Sequence, residues 1–382
     1  MPRRWDLDAL RGLMLVMMTL THLPTRFSAS ISQPFGFVSA AEGFVLLSAF
    51  MAGSIYTRRA MQQGIPAMRE AFLVRARKLY ACQLVLLLFV FTLVAKIGVA
   101  LDQLAVTNML SFYLRDPFTA VWSGVALIYS PPLVDILPLY VVLMLASPWV
   151  LTFGLRHGWT SIMVVSVASW FLAQFDLAKL LYDAAVVVTG FNVPFSETGS
   201  FQMFAWQFIW MLGLWMGSSD AAARDPRADF PRRLIAVAGT IALVCLIWRH
   251  AVGQTPFGTL DALNLMFDKW HLGPLRLINF FALLVLTLHF GPWLRSTVRC
   301  RFLETLGAAS LPVFCAHLVI VLLALAMAGD VKSENSLWAD VALIAGSFAV
   351  LYTVARVFNP MKPRRAVEKE EESAGLTAHA VR

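Results

Sequence analysis

Charge is scarce in this 382-residue chain: Asp, Glu, Lys and Arg make up 14% of it, against 59% hydrophobic residues. A soluble fold of this length needs a larger charged surface, so an ordinary water-soluble domain is excluded. Cysteine is scarce too. The four are Cys82, Cys245, Cys300 and Cys315, none in a Cys-x-x-Cys pair and each in or beside an apolar run. That pattern excludes a disulfide framework or zinc ribbon and leaves free, small core residues. There is no P-loop, no Gly-x-Gly-x-x-Gly, no His-Glu-x-x-His and no Gly-x-Ser-x-Gly. The common phosphate cradles, dinucleotide sites, zinc proteases and serine hydrolases are therefore not indicated. Neither Asp261 with Asp268 nor His250 with His271 makes a credible ligand set, so no metal is expected. No internal repeat points to an inverted-repeat transporter. Basic and aromatic residues are not interleaved as in a nucleic-acid binder, and no nucleic acid is expected.

What the chain does have is long apolar runs. Mean hydropathy is +0.69, and runs of about 20 residues, the length of a spanning helix, recur. Ten candidate spans cover 8–23, 37–56, 79–99, 133–152, 160–175, 201–217, 234–251, 275–294, 306–328 and 338–358. The expected fold is all-α, a polytopic transmembrane bundle occupying residues 1–360, with a charged, disordered cytoplasmic tail over 361–382. The first segment holds Asp8 and Arg11, lacks a small-residue cleavage site and ends at Pro24. It reads as an uncleaved first span rather than a signal peptide.

The net charge of +8 sits in short connections and tails. With the N-terminus in the cytoplasm, basic residues such as Arg58, Arg59, Arg69, Arg232, Arg295 and Arg301 gather on one side. That excess follows the positive-inside rule and places both termini in the cytoplasm. The lipid bilayer is the expected first partner. The connections 100–132 and 252–274 read as short interfacial or re-entrant helices over the outer mouth, with 176–200 as a third cover. Residues 58–78 read as a basic amphipathic helix at the inner surface.

Several ionisable groups fall inside these spans, where they are expensive and point to function. Arg11 and His22 have ten residues between them on the first span. Eleven helical steps return to within about 20° of one face, displaced by about 16 Å. One face thus carries a cation near one surface and an imidazole deep inside. Asp8 is three residues from Arg11 and can pair with it. Glu42 falls at about the depth of His22 on the second span. A carboxylate there can orient an imidazole for acid–base work, or pair with Arg26 or Arg276 for structure. Ala49 and Gly53, further along nearly the same face, would let another helix approach closely. Asp135, Trp206, Gln207, His271 and Arg276 collect at the outer level with Lys269 and Asn279, as a polar, aromatic-lined bowl suited to carbohydrate. His317 lies mid-span in the ninth segment, with Ser310 on the same face. Arg75, Arg77 and Lys78 open the third span, where they can bind anionic lipid or the phosphates of a cytosolic cofactor.

The blocks LDALRGLMLVMMTLTHLP, SAAEGFVLLSAFMAG, RARKLYACQL, DILPLYVVLML, FAWQFIWMLGLWMG, GPLRLINFFAL and LGAASLPVFCAHLVI resemble, in order, those of the OpgC family. That family is associated with succinylation of osmoregulated periplasmic glucans. The chain is also distantly similar to acyltransferase 3 membrane proteins. The resemblance implies about ten helices and O-acyl transfer from cytosolic acyl-CoA, succinyl-CoA or acetyl-CoA, to a periplasmic glycan acceptor. It implies Arg11 and His22 as the signature pair, Glu42 as the acidic position, and Arg75, Arg77 and Lys78 as the donor-binding cluster. Ala49 departs from the glycine common in such second-span blocks, which narrows the space there. In this reading His22, Glu42 and Arg11 are catalytic, Asp8 supports Arg11, and Asp135, Trp206, Gln207, His271, Arg276 and His317 bind substrate. Further candidate partners are glucan-synthesis membrane proteins or a second copy in a homodimer. The competing class is a transporter or flippase, in which Glu42 and His317 would relay protons and Pro24, Pro138, Pro148 and Pro312 would break helices.

Overall fold

The computed structural model describes residues 4–222, 230–297, 299–329 and 336–358. It is 81% helix, with no strand among the described residues. The principal helices are α1 (Trp5–His22), α2 (Ala40–Phe89), α3 (Ile136–His157), α4 (Thr160–Ala173) and α5 (Leu177–Thr189). They continue with α6 (Met203–Ala222), α7 (Arg232–Val252), α8 (Pro274–Thr297), α9 (Arg301–Ala308), α10 (Ser310–Ala328) and α11 (Leu337–Phe358). The tail over 361–382, expected to be disordered, lies outside the described residues.

Among the described residues six helices are long and apolar enough to cross a membrane, or seven if the bent pair α4 and α5 is one span. The difference from ten has physical causes. Spans two and three, with the amphipathic segment between them, form one helical run from Ala40 to Ala100. At about 1.5 Å per residue that run is roughly three times the thickness of a hydrocarbon core. Gly64, at φ 87° and ψ 167°, breaks it into two helices. The first span, α1, carries Asp6, Asp8 and Arg11. The sixth, α6, is diluted by Trp, Gln and Ser but is among the most buried helices, with Trp206 and Trp210 fully enclosed. The fifth stops at Ala173 and turns through 81° into α5. The ninth is counted among the six, but it starts at Ser310, after a break at Ala309 that separates it from α9.

The expected small-residue contact on α2 is present, and α6 is the helix that uses it. A Cβ on Gly53 would sit 2.3 Å from the Leu214 carbonyl oxygen, and one on Gly217 would sit 2.0 Å from that of Phe50. Only glycine permits backbones this close. Three short helices (Leu104–Met109, Ser111–Arg115 and Pro117–Val125) occupy the first long connection. The second long connection holds the short turns Asp261–Asn264 and Leu265–Phe267. The core lies among α1, α2, α3, α6 and α10, and it surrounds the polar groups described next.

Candidate active site

The face of α1 that carries Arg11 and His22 meets α10 at two levels. Arg11 Nη1 donates to Ser310 Oγ at 3.3 Å, and Nη2 pairs with Asp8. Its Nε is buried with no acceptor among the described residues. Further along, His22 Nδ1 lies 3.4 Å from His317 Nε2. The two rings are nearly parallel, 18° apart, with centroids separated by 5.7 Å. His317 is fully buried, and its Nδ1 lies 2.7 Å from the Phe314 carbonyl oxygen. Ser310, Phe314 and His317 are spaced by four and three residues and so share one face of α10; Ser310 and His317 meet α1, and Phe314 meets Phe44 on α2.

A cavity of about 460 Å³ opens beside this seam. Its lining includes Arg11, Ser48, Tyr56, Arg75, Tyr140 and Phe314. A second cavity of about 410 Å³ shares Ile55, Tyr56 and Arg75 with it and adds Arg59, Glu70 and Lys78. The two cavities adjoin, and their combined lining carries Arg11, Arg59, Arg75 and Lys78. Phe314, in the lining of the first, stacks on Phe44 at 5.8 Å and meets the edge of the His317 ring at 5.0 Å. Of the three basic residues read as a donor-binding cluster, Arg75 and Lys78 line this space. Arg77 does not: it is exposed, and its Nε donates along the helix to the Leu73 carbonyl at 3.4 Å.

A family model described as OpgC protein matches residues 3–363. The chain belongs to the OpgC family. No curated protein and no solved structure matches it. Membership carries a membrane acyltransferase role on glucans.

In this OpgC-family chain the acidic position does not touch the histidine. Glu42 Oε2 accepts from the Ser39 backbone N–H at 3.1 Å and from Ser39 Oγ at 2.6 Å. Its Oε1 pairs with Arg276 Nε. The Ser39 side chain in turn accepts from the start of α2, which completes a capping box. So Glu42 caps α2 and ties it to α8. The side chain that meets His22 is instead His317, the mid-span histidine read from the sequence as a substrate-binding residue. The Ser-Ala-Ala-Glu pattern before an apolar run was the signal for the cap.

The other bowl residues mostly brace one loop. Trp206 Nε1 donates to the Trp270 carbonyl at 3.1 Å, and Gln174 Nε2 donates to that of His271 at 2.7 Å. Trp170 Nε1 donates to the Leu272 carbonyl at 2.9 Å. Asp135 accepts from the Ser200 N–H at 3.0 Å. Gln207 is consumed by α4, exchanging hydrogen bonds with Ser166 through both ends of its amide. His271 bonds Asp268 at 2.8 Å, and that bond raises its pKa above the ordinary 6.5. The braced loop presents Lys269, which the sequence placed in the bowl without a role. Its ammonium lies over Trp270 at 4.5 Å and Phe201 at 5.5 Å, with no hydrogen-bond acceptor among the described residues. Burial pushes its pKa down, and Arg276 adds to that, while Glu42, Asp135 and Asp268 oppose it. Among the described residues no group of three or more His, Cys, Asp or Glu could hold a metal.

Proposed function

We propose that this protein is an inner-membrane O-acyltransferase that moves an acyl group, succinyl or acetyl, from cytosolic acyl-CoA to a sugar hydroxyl of a periplasmic glucan. The observation that carries this reading is the joined cavity lined by Lys78, Arg75, Arg11 and Phe314, because the Phe314 ring meets that of His317, the hydrogen-bond partner of His22. Its basic mouth suits the phosphates of CoA. Its apolar middle suits an extended pantetheine arm.

In this mechanism the acyl thioester reaches the level of His22, and the sugar hydroxyl arrives from the Lys269 side. His22 takes the hydroxyl proton, and the hydroxyl oxygen attacks the thioester carbonyl carbon. The tetrahedral intermediate collapses with loss of the CoA thiolate, which receives the proton from the imidazolium. One ester C–O bond forms and one C–S bond breaks, with no redox partner needed. Arg11, held by Asp8 and Ser310, lines the donor path and offers its buried Nε to it. Lys269 places a positive charge near the imidazole on the acceptor side. General-base catalysis of this kind contributes about 10²–10⁴-fold.

The test uses full-length protein in nanodiscs with radiolabelled succinyl-CoA or acetyl-CoA and purified glucan. Wild type is expected to transfer label to glucan. His22→Ala is expected to bind acyl-CoA but lose transfer. Full transfer by folded His22→Ala would overturn the assignment, and glucan movement without acyl-CoA consumption would favour transport.

A further inference from the structure

We propose that His317 is a positioning residue that fixes the tautomer of His22. The inference rests on the reading of His22 as the general base, and it follows from counting protons along one hydrogen-bonded line. A carbonyl oxygen only accepts. The 2.7 Å contact from His317 Nδ1 to the Phe314 carbonyl therefore requires the proton on Nδ1. In the neutral ring, His317 Nε2 is then a lone pair and can only accept. The atom facing it at 3.4 Å is His22 Nδ1, which must therefore be the donor. With its proton on Nδ1, a neutral His22 keeps its lone pair on Nε2, the nitrogen turned away from the contact.

That lone pair is what a general base needs. Without the line, nothing at Nδ1 selects between the tautomers, and the form with Nε2–H has no base to offer at that atom. The second nitrogen of a functional histidine is commonly held by a carboxylate or a backbone carbonyl. Here the backbone carbonyl acts at one remove, through a second imidazole. The arrangement keeps a carboxylate out of this part of the core. Glu42, the nearest candidate in the sequence, is committed to Ser39 and Arg276. The near-parallel rings and full burial of His317 hold the line in place. Phe314 contributes both the terminal carbonyl and the ring that closes the inner end of the cavity.

Two substitutions at 317 separate positioning from packing. His317→Gln keeps an acceptor near the position of Nε2, whereas His317→Leu keeps the approximate volume with no acceptor. We expect His317→Leu to lower kcat several-fold or more, from the His22 population that leaves the Nδ1–H tautomer and from the lost acceptor for the imidazolium, and by less than the about 10⁴-fold seen when a catalytic histidine is held in the wrong tautomer. KM for acyl-CoA and for glucan should remain near wild type. His317→Gln should restore most of kcat. Nitrogen-15 NMR of labelled histidine should show His22 protonated at Nδ1 in wild type and in His317→Gln, and the Nε2–H tautomer appearing in His317→Leu. Equal activity of the Leu and wild-type proteins, or wild-type His22 protonated at Nε2, would overturn the proposal. So would equal loss in Leu and Gln variants that both fold. An inactive His22→Ala beside a fully active His317→Leu removes the positioning role alone. An active His22→Ala removes the general-base reading itself.

Discussion

Glu42 and Arg276, 234 positions apart in the chain, form an ion pair that is almost completely closed to solvent, at 0% and 1% side-chain exposure. The pair joins the first turn of α2 to the first turn of α8, on the side of the bundle where His22 ends α1. Arg276 Nη1 also donates to the Phe267 carbonyl at 3.4 Å, while its Nη2 is buried without an acceptor among the described residues. Glu42 is therefore a counter-charge before it is anything else.

Removing one partner of such a pair strands the other charge, at a cost of about 3–5 kcal/mol. Glu42→Gln keeps the size and part of the cap but strands Arg276. We expect a large fall in thermal stability in detergent, with activity falling in proportion to folded protein. The double variant Glu42→Gln/Arg276→Met removes both charges and should recover much of the stability. A Glu42→Gln protein of wild-type stability but low kcat would instead put Glu42 in the chemistry.

This reassignment shows what the sequence could and could not reveal. Helical periodicity and hydropathy give the depth of a residue along its own helix. They put Arg11 and His22 on one face about 16 Å apart, and Glu42 at the level of His22. They do not give the direction in which one helix faces another. His22 and Glu42 share a level, but α10 rather than α2 supplies the hydrogen-bond partner. The Ala49–Gly53 patch was legible because small residues have a single packing use in a spanning helix, and α6 fills it. Lys269 was visible as a charge but not as a presented one. Its setting comes from Trp170, Gln174 and Trp206, on two other helices, bonding the backbone of its loop.

The α2–α6 seam gives a prediction that involves no chemistry. A methyl group on Gly217 would fall 2.0 Å from the Phe50 carbonyl oxygen and 2.8 Å from the Ser54 nitrogen. Both are backbone atoms, so no rotamer change relieves the clash and the helices must separate. Overpacking of this kind costs about 1–3 kcal/mol or more. Gly217→Ala should lower the melting temperature, whereas Gly239→Ala, with no neighbouring atom within 4 Å of the added carbon, should leave it unchanged. Equal melting temperatures for the two variants would refute the tight seam.

The loop carrying Lys269 should respond to pH through His271 and Asp268. The hydrogen bond to Asp268 raises His271 above its ordinary value of 6.5. Its contribution is then fully present below 6.5 and is lost as pH rises through the folded value. Burial alone would raise Asp268, but hydrogen bonds from His271 and Trp270 bring it below its ordinary 3.8. Its contribution is present above 3.8 and is lost as pH falls through the lower folded value. The clamp is therefore strongest in mildly acid solution and loosens towards alkaline pH. The protection factors of residues 268–272, corrected for base catalysis of exchange itself, should fall on the alkaline side, and His271→Gln should flatten that limb. A protection profile that does not change above pH 6.5 would exclude the clamp.

The basic cluster gives the sharpest test of the donor path, because its members diverge in the fold. Arg75 lines both cavities and Lys78 lines the second, whereas Arg77 points along the helix surface. A hydrogen bond to a charged group contributes about 1.5–3 kcal/mol, which is roughly 10- to 100-fold in an equilibrium constant. If the path holds the phosphates of acyl-CoA, Arg75→Ala should raise KM for acyl-CoA by about that factor and leave KM for glucan unchanged. Lys78→Ala should do so more weakly, since the residue is exposed, and Arg77→Ala should have little effect. A cluster that served only anionic lipid would behave differently: all three substitutions would alter lipid dependence by similar amounts, and none would change KM for acyl-CoA. The contrast between neighbours two residues apart on one helix also controls for net charge, because Arg75→Ala and Arg77→Ala remove the same charge from the same surface.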